Sequence, residues 1–168
     1  MAPLKLYILQ IASPSRAALL TMRYLNLDVE IIHMDLFKGE HYTPEFFKIN
    51  PQRTVPVLDD NGFFLAESKA ISTYLVNSRA PGNSIYPTNP KVRALVDARL
   101  FFEAATFFPR ISGVVRPILV DGVTTVSEEE KKGIYEALEI MDIFLEKQKW
   151  FAADHPTLAD LAFLASFS

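Results

Sequence analysis

Two hydrophobic periods share the first half of the chain, and one dominates the second. Leu4–Leu9 is a short apolar run closed by the Ala12-Ser13-Pro14-Ser15 cluster, which predicts a buried strand and a turn. From Arg16 to Leu27, apolar Ala17, Leu20, Tyr24 and Leu27 recur at intervals of three and four, which predicts a helix with Ser13 as N-cap and Pro14 at its first position. Val29–His33 predicts a second strand. A polar loop from Lys38 to Tyr42 follows, and Thr43-Pro44 opens a short helix that ends before Pro51. Val55–Leu58 and Phe63–Leu65 flank Asp59-Asp60-Asn61-Gly62, a hairpin signal because Asn-Gly readily supplies two left-handed residues. Ala70, Ile71, Tyr74 and Leu75 mark a helix to about Ser78.

The pattern breaks at Ala80-Pro81-Gly82-Asn83-Ser84, and no strand period returns. Val92, Leu95, Val96, Leu100, Phe101, Phe107 and Phe108 lie along a long helix that Pro109 and Pro117 are placed to kink or interrupt. Ser127 and Glu130 form a capping-box pair ahead of another helix, and Thr157 and Asp160 repeat that signature with a shorter acid. The expected organisation is an α/β domain over 1–79, a linker over 80–88 and an all-α domain over 89–168. The Leu158–Phe167 helix is apolar on most sides, so it predicts neighbours around it and a helical domain that is C-terminally short.

Composition narrows the chemistry. The 168 residues carry 17 Lys+Arg against 20 Asp+Glu, so no basic surplus drives counterion release from nucleic acid. The absence of cysteine removes disulfide scaffolds, thiol redox centres, cysteine nucleophiles and thiolate metal sites, so sulfur chemistry must come from a ligand. His33, His41 and His155 are scattered and form no metal-binding pair, so no metal is expected. Leu6–Leu9 is too short for a signal-peptide core, and no apolar run approaches the roughly 20 residues of a membrane span. These features predict a cytosolic protein with a small-molecule or protein partner.

Four segments carry a resemblance: Asn50–Asp59 (NPQRTVPVLD), Glu67–Ile71 (ESKAI), Ser84–Pro87 (SIYP) and Thr157–Leu161 (TLADL). With the βαβ, short helix, ββα order they make the chain, from Leu4 to Ser168, similar to insect cytosolic glutathione S-transferases of the delta/epsilon group. The resemblance implies a thioredoxin-like N-terminal domain that binds glutathione and a helical C-terminal domain that receives an electrophile, with the family's last helices absent. It also implies a homodimer.

It assigns roles by position. Pro56 matches a cis proline that turns the Val55 backbone toward the cysteinyl unit of glutathione. Glu67 would hold the γ-glutamyl ammonium, and Ser68, which the local pattern reads as an N-cap, would receive the carboxylate with the helix N-terminus. His41 and Arg53 match positions that hold the glycyl carboxylate; many relatives have His where Arg53 stands, and a guanidinium fork grips a carboxylate with two hydrogen bonds.

Thiol activation is the departure. A thiol of pKa about 8.5 is roughly 3% ionised at pH 7, and lowering the value by two units makes that roughly three quarters, at about 2.7 kcal/mol of thiolate stabilisation. Relatives place a serine four residues before the arginine of the first helix, and here that position is Ala12, which has no donor. Ser13 is the neighbouring candidate for the catalytic hydroxyl and also the expected cap. Ser15 is a second candidate, and Tyr7, read as pointing to the core, a third. Phe108, Ile111, Val115 and Leu119, with Ala12 and Ile11 at the mouth, are the expected electrophile pocket; the same spacing also fits an ordinary core face. The expected activity is conjugation of the glutathione thiolate to apolar electrophiles, of the detoxification type. The alternative is a glutathione- or lipophile-binding protein of the same fold with weak or no activity.

Overall fold

A computed structural model describes residues 4–168; residues 1–3 of the expected first domain lie outside the described residues. Contacts divide the chain into two compact units. One runs through Tyr86 and includes Leu161–Ser168; the other is Pro87–Asp160. The last eight residues therefore cluster with the α/β unit.

In the first unit, β1 (Leu4–Ile8), β2 (Val29–His33), β3 (Val57–Asp60) and β4 (Phe63–Ala66) form one sheet in the order β2-β1-β3-β4. β1 runs parallel to β2, with Leu4 opposite Val29 and Ile8 opposite His33, and antiparallel to β3, with Leu6 opposite Leu58 and Tyr7 opposite Val57. Strand β3 turns back into β4 through Asn61 (φ 54°) and Gly62 (φ 90°), and Asp59 Oδ1 accepts from the Gly62 N–H at 2.7 Å. Two consecutive left-handed residues match the right-handed twist of the flanking strands, as the Asn-Gly pair predicts.

Alternation along β1 buries Leu4, Leu6 and Ile8 on one face. There they join Leu58 and residues of α1 (Ser13–Tyr24) and α3 (Ser68–Arg79), namely Ala18, Met22, Ile71 and Leu75, in the core. Inside this layer Thr21 Oγ1 donates to the Ala17 carbonyl (3.0 Å), so the Ser72 hydroxyl must donate to Thr21 across the α1–α3 contact (2.9 Å). Tyr7 faces the other side of the sheet and meets Phe46 of α2 (Pro44–Ile49) edge-on at 6.1 Å, which corrects the expectation that it points into the main core.

Three boundaries differ from the sequence reading. Helix α1 begins at Ser13 with Ala12 as its cap, because the first helical bond runs from Arg16 N–H to the Ala12 carbonyl. It ends at Tyr24, because Asn26 takes a left-handed conformation (φ 52°) and Leu27 N–H folds back to the Met22 carbonyl. Helix α3 is capped by Glu67 rather than Ser68, since the Ile71 N–H bonds the Glu67 carbonyl. The expected polar loop contains a single 3₁₀ turn, Glu40–Tyr42.

In the second unit, α4 (Pro90–Phe102) leads through a π turn (Glu103–Phe107) into α5 (Phe108–Asp121). Pro109 has no N–H and crowds the carbonyl four residues back, and the widened turn just ahead of it absorbs that defect. Pro117 does not end the helix; Gly122 does, in the left-handed conformation, with Val123 N–H bonded to the Pro117 carbonyl. Helix α6 (Glu128–Leu145) carries the expected reciprocal capping box. It is tied to α5 by Arg110, which donates to the Gly133 carbonyl and pairs with Glu136. Asp160, in the first turn of α7 (Leu158–Phe167), accepts from Thr157 N–H and Oγ1 and from Phe151 N–H. Along α7, Leu158, Ala159, Ala162, Phe163 and Ala165 are buried, and Leu164 and Phe167 are exposed.

Candidate glutathione site

The sheet register gathers the chemistry at one end of the first unit. Tyr7 pairs with Val57 and Val57 with Ala66. The segment leaving β1 toward Ser13, the Val55-Pro56 entry to β3 and the Glu67-Ser68 exit from β4 therefore emerge side by side. The end of β2, leading to His41, is at the same end of the sheet because β1 and β2 are parallel. The Val55-Pro56 peptide bond is cis.

Two residues of this group hold an uncommon backbone. Arg53 (φ 56°) and Glu67 (φ 71°) have a positive φ; among the described residues the other non-glycine residues of that kind, Asn26 and Asn61, are of a type that tolerates it. Such conformations cost of order 1–3 kcal/mol and persist where surrounding structure over-determines them. For Arg53 the surrounding structure is visible. The buried Asn50 side chain donates to the Thr54 carbonyl (2.9 Å) and accepts from Gln52 N–H (3.1 Å), and Arg53 N–H bonds the Asn50 carbonyl (3.0 Å). The Arg53 guanidinium lies 5.0 Å from the Phe47 ring centre and 5.7 Å from that of Tyr42. His41 is buried against the same Tyr42 ring, 3.9 Å between centres, so the two residues expected to share a carboxylate meet at one aromatic side chain. His41 Nδ1 is buried and has no hydrogen-bond partner among the described residues.

Ser68 is buried at the start of α3, and Glu67, beside it, is exposed. Ser13 is half-buried at the first position of α1, and no side chain caps that helix because Ala12 cannot. Ser15 is fully buried, and its Oγ has no partner among the described residues, so it does not face solvent. A cleft of about 370 Å³ lies beside the β1–α1 loop, lined in part by Leu9, Ile11, His33, Met34, Phe37 and Glu40. Of these the sequence places Ile11 at the mouth of the site; Phe37, largely exposed and just ahead of the polar loop, is the signal for the rest. In the second unit Phe108, Ile111, Val115 and Leu119 share one face of α5, the first two half-buried and the last two exposed. Among the described residues no group of His, Cys, Asp or Glu is arranged to hold a metal ion, and no helix is long and apolar enough to cross a membrane.

Residues 2–77 match the sequence family described as Glutathione S-transferase, N-terminal domain, and residues 96–168 match Glutathione S-transferase, C-terminal domain. The chain belongs to the glutathione S-transferase family. It is 38% identical over 164 residues to Glutathione S-transferase 1 of Manduca sexta, a match covering 97% of this chain and 75% of that protein. Among solved structures it superposes on a delta-class glutathione transferase of Nilaparvata lugens with a TM-score of 0.92 at 42% identity, covering 98% of this chain and 77% of that one. It superposes on an epsilon-class enzyme of the housefly, Musca domestica, with a TM-score of 0.93 at 36% identity, covering 98% and 76%. The family's thioredoxin-like sheet and helical second half are thus both present, as the sequence predicts.

Proposed function

We propose that the protein is a glutathione transferase that binds glutathione through His41, Arg53, Val55, Glu67 and Ser68, beside Pro56, and adds its thiol to apolar electrophiles. The observation that carries this reading is the positive φ at Arg53 and Glu67. The resemblance assigns both to glutathione's charged ends; Arg53 serves neither a hairpin nor a helix end, and Glu67, although it caps α3, has a positive φ where an N-cap ordinarily has an extended backbone. The unpartnered His41 Nδ1 leaves a buried polar atom that a ligand carboxylate can satisfy. The uncapped first turn of α1 leaves main-chain donors toward which a thiolate is drawn, with the Ser13 hydroxyl next to them. The apolar face of α5, with Phe108, Ile111, Val115 and Leu119, is the part offered to the electrophile. In the same proposal the protein works in the cytosol as a homodimer, and Phe63 and Phe64 on β4 and Phe101 on α4 are among its exposed apolar residues.

One observation favours a second reading: Ala12 removes the hydroxyl at the position where relatives carry one, which suits a glutathione-binding protein with little turnover. Calorimetric titration with glutathione tests the site, and absence of binding at millimolar ligand removes both readings. Conjugation of 1-chloro-2,4-dinitrobenzene then separates enzyme from binder.

A further inference from the structure

We propose that Arg16 is a positioning residue that latches the β1–α1 loop to the end of α7 and so fixes where the first turn of α1 meets the substrate thiol. Arg16 lies in the first turn of α1, and its side chain uses every N–H it has. Nη1 donates to the Ile11 carbonyl (2.5 Å) and the Gln10 carbonyl (3.4 Å). Nη2 donates to the Ala165 carbonyl (3.0 Å) and the Ser168 main-chain oxygen (2.6 Å), and Nε to Ser168 Oγ (3.1 Å). A guanidinium has five N–H donors in a rigid plane, and here each finds a separate oxygen.

The latch acts on the segment that matters. Gln10 and Ile11 are the two residues before Ala12 and Ser13, so fixing their carbonyls fixes the peptide planes that lead into the uncapped helix start. The backbone adds two restraints, Ala12 N–H to the Leu9 carbonyl and Arg16 N–H to the Ala12 carbonyl. At the other side the same cation holds the Ala165 carbonyl of α7 and the Ser168 hydroxyl beside it. Four of the five partners, the Gln10, Ile11 and Ala165 carbonyls and the Ser168 hydroxyl, are uncharged oxygens and do not neutralise the guanidinium. Its charge stays at the N-terminal end of α1 and adds to the positive end of that helix. A lysine cannot replace it, since three donors on a flexible stem cannot serve five oxygens in one plane.

The inference rests on the proposed glutathione reading, and the test separates the two. Wild type, Arg16→Lys and Arg16→Ala are titrated with pH in the presence of saturating glutathione, and the ultraviolet absorbance of the bound thiolate is recorded. The expected result is a thiol pKa raised by about half a unit or more in Arg16→Ala and by less in Arg16→Lys, with the dissociation constant for glutathione changed less than about threefold. A thiol titration identical to wild type in Arg16→Ala overturns the inference while leaving the glutathione site standing. Where circular dichroism shows that Arg16→Ala has not folded, Arg16→Lys decides, and a wild-type titration in it overturns the inference. If wild type binds no glutathione, the functional reading fails and amide hydrogen exchange judges the latch. Faster exchange in Arg16→Lys, confined to the β1–α1 loop and the last turn of α7, supports it, and unchanged exchange in both segments overturns it.

Discussion

Replacing Tyr74 by Phe removes one donor from a compact charge network and leaves the rest in place. The Tyr74 hydroxyl donates to Asp60 Oδ2 at 2.7 Å, Arg79 Nη2 pairs with the same oxygen, and Asn61 Nδ2 donates to Oδ1 at 2.9 Å. The Asp60 side chain is only 8% exposed. The Tyr74 hydrogen bond is the chief reason its carboxyl sits below the ordinary aspartate value, with Asn61 and Arg79 assisting and burial opposing. A hydrogen bond to a charged group contributes about 1.5–3 kcal/mol. Two other donors remain after the change, so the lower half of that range applies, about 1.5–2 kcal/mol at pH 7, or roughly 3–8 °C in Tm for a chain of this size. The sign of the pH dependence follows from the depressed value. Asp60 contributes stability above its unfolded pKa of about 3.9 and loses it as pH falls through the lower folded value. The Phe variant has less to lose, so urea unfolding from pH 7 toward pH 3 should show the two stability curves converging in acid. The Tyr74 phenol is raised by the same contact, so its contribution persists below about pH 10 and is lost as pH rises through the folded value, a dependence the variant lacks. Parallel curves across the acid range refute the assignment of the Asp60 shift to Tyr74.

Saturating the site with glutathione at about one hundred times its dissociation constant should stabilise the fold by about 2.7 kcal/mol, read as a rise of roughly 5–10 °C in Tm; no rise is the contrary result. Ser13→Ala should lower kcat/KM for conjugation about fivefold at pH 7 in steady-state assays, and an unchanged rate leaves the main chain of α1 as the sole thiolate donor. Asp160→Ala strips one carboxylate from Thr157 N–H, Thr157 Oγ1 and Phe151 N–H together and should destabilise by about 2 kcal/mol or more by thermal melt. A melt within about 1 °C of wild type contradicts that role.

Legibility from sequence followed the range of the interactions. The Ser127–Glu130 box, the Thr43 cap and the Asn61-Gly62 turn are written in adjacent residues, and all three stand where the sequence places them. Ser13 and Ser68 looked like caps for the same local reason, but which residue ends the helix is decided by the carbonyl that takes the first helical bond. That is set by where the strand before it lets go: the Leu9–Ala12 turn in one case and the positive φ of Glu67 in the other. The period carried Leu27 into α1 because its side chain does pack on the core, although the backbone has already turned at Asn26. A π turn leaves no periodic trace beyond the proline that follows it. The bracing of Arg53 by Asn50 and the five bonds of Arg16 need positions apart in sequence to meet, and single-residue reasoning had no access to them.

How the thiol is ionised with alanine at position 12 can be decided by magnitude. A helix N-terminus contributes about 1 kcal/mol to a partly exposed anion, or about 0.7 of a pKa unit. From a free value of about 8.5 that leaves the thiol near 7.8, roughly 14% ionised at pH 7, about fivefold more than in solution. A hydroxyl donor to the thiolate adds about 1.5 kcal/mol, a further unit or so, and brings the value near 6.7 and the ionised share to about two thirds. The two cases differ in shape as well as rate. At saturating glutathione, kcat/KM for the electrophile should bend near pH 6.7 and be flat by about pH 7.7 with Ser13 donating; with the main chain alone it should bend near pH 7.8 and flatten only near about pH 8.8. Ser13→Ala should therefore convert the first profile into the second. A bend that stays near pH 6.7 in the variant excludes Ser13 as the donor, and a wild-type bend at the free-thiol value of about 8.5 excludes both sources at the strengths assigned to them.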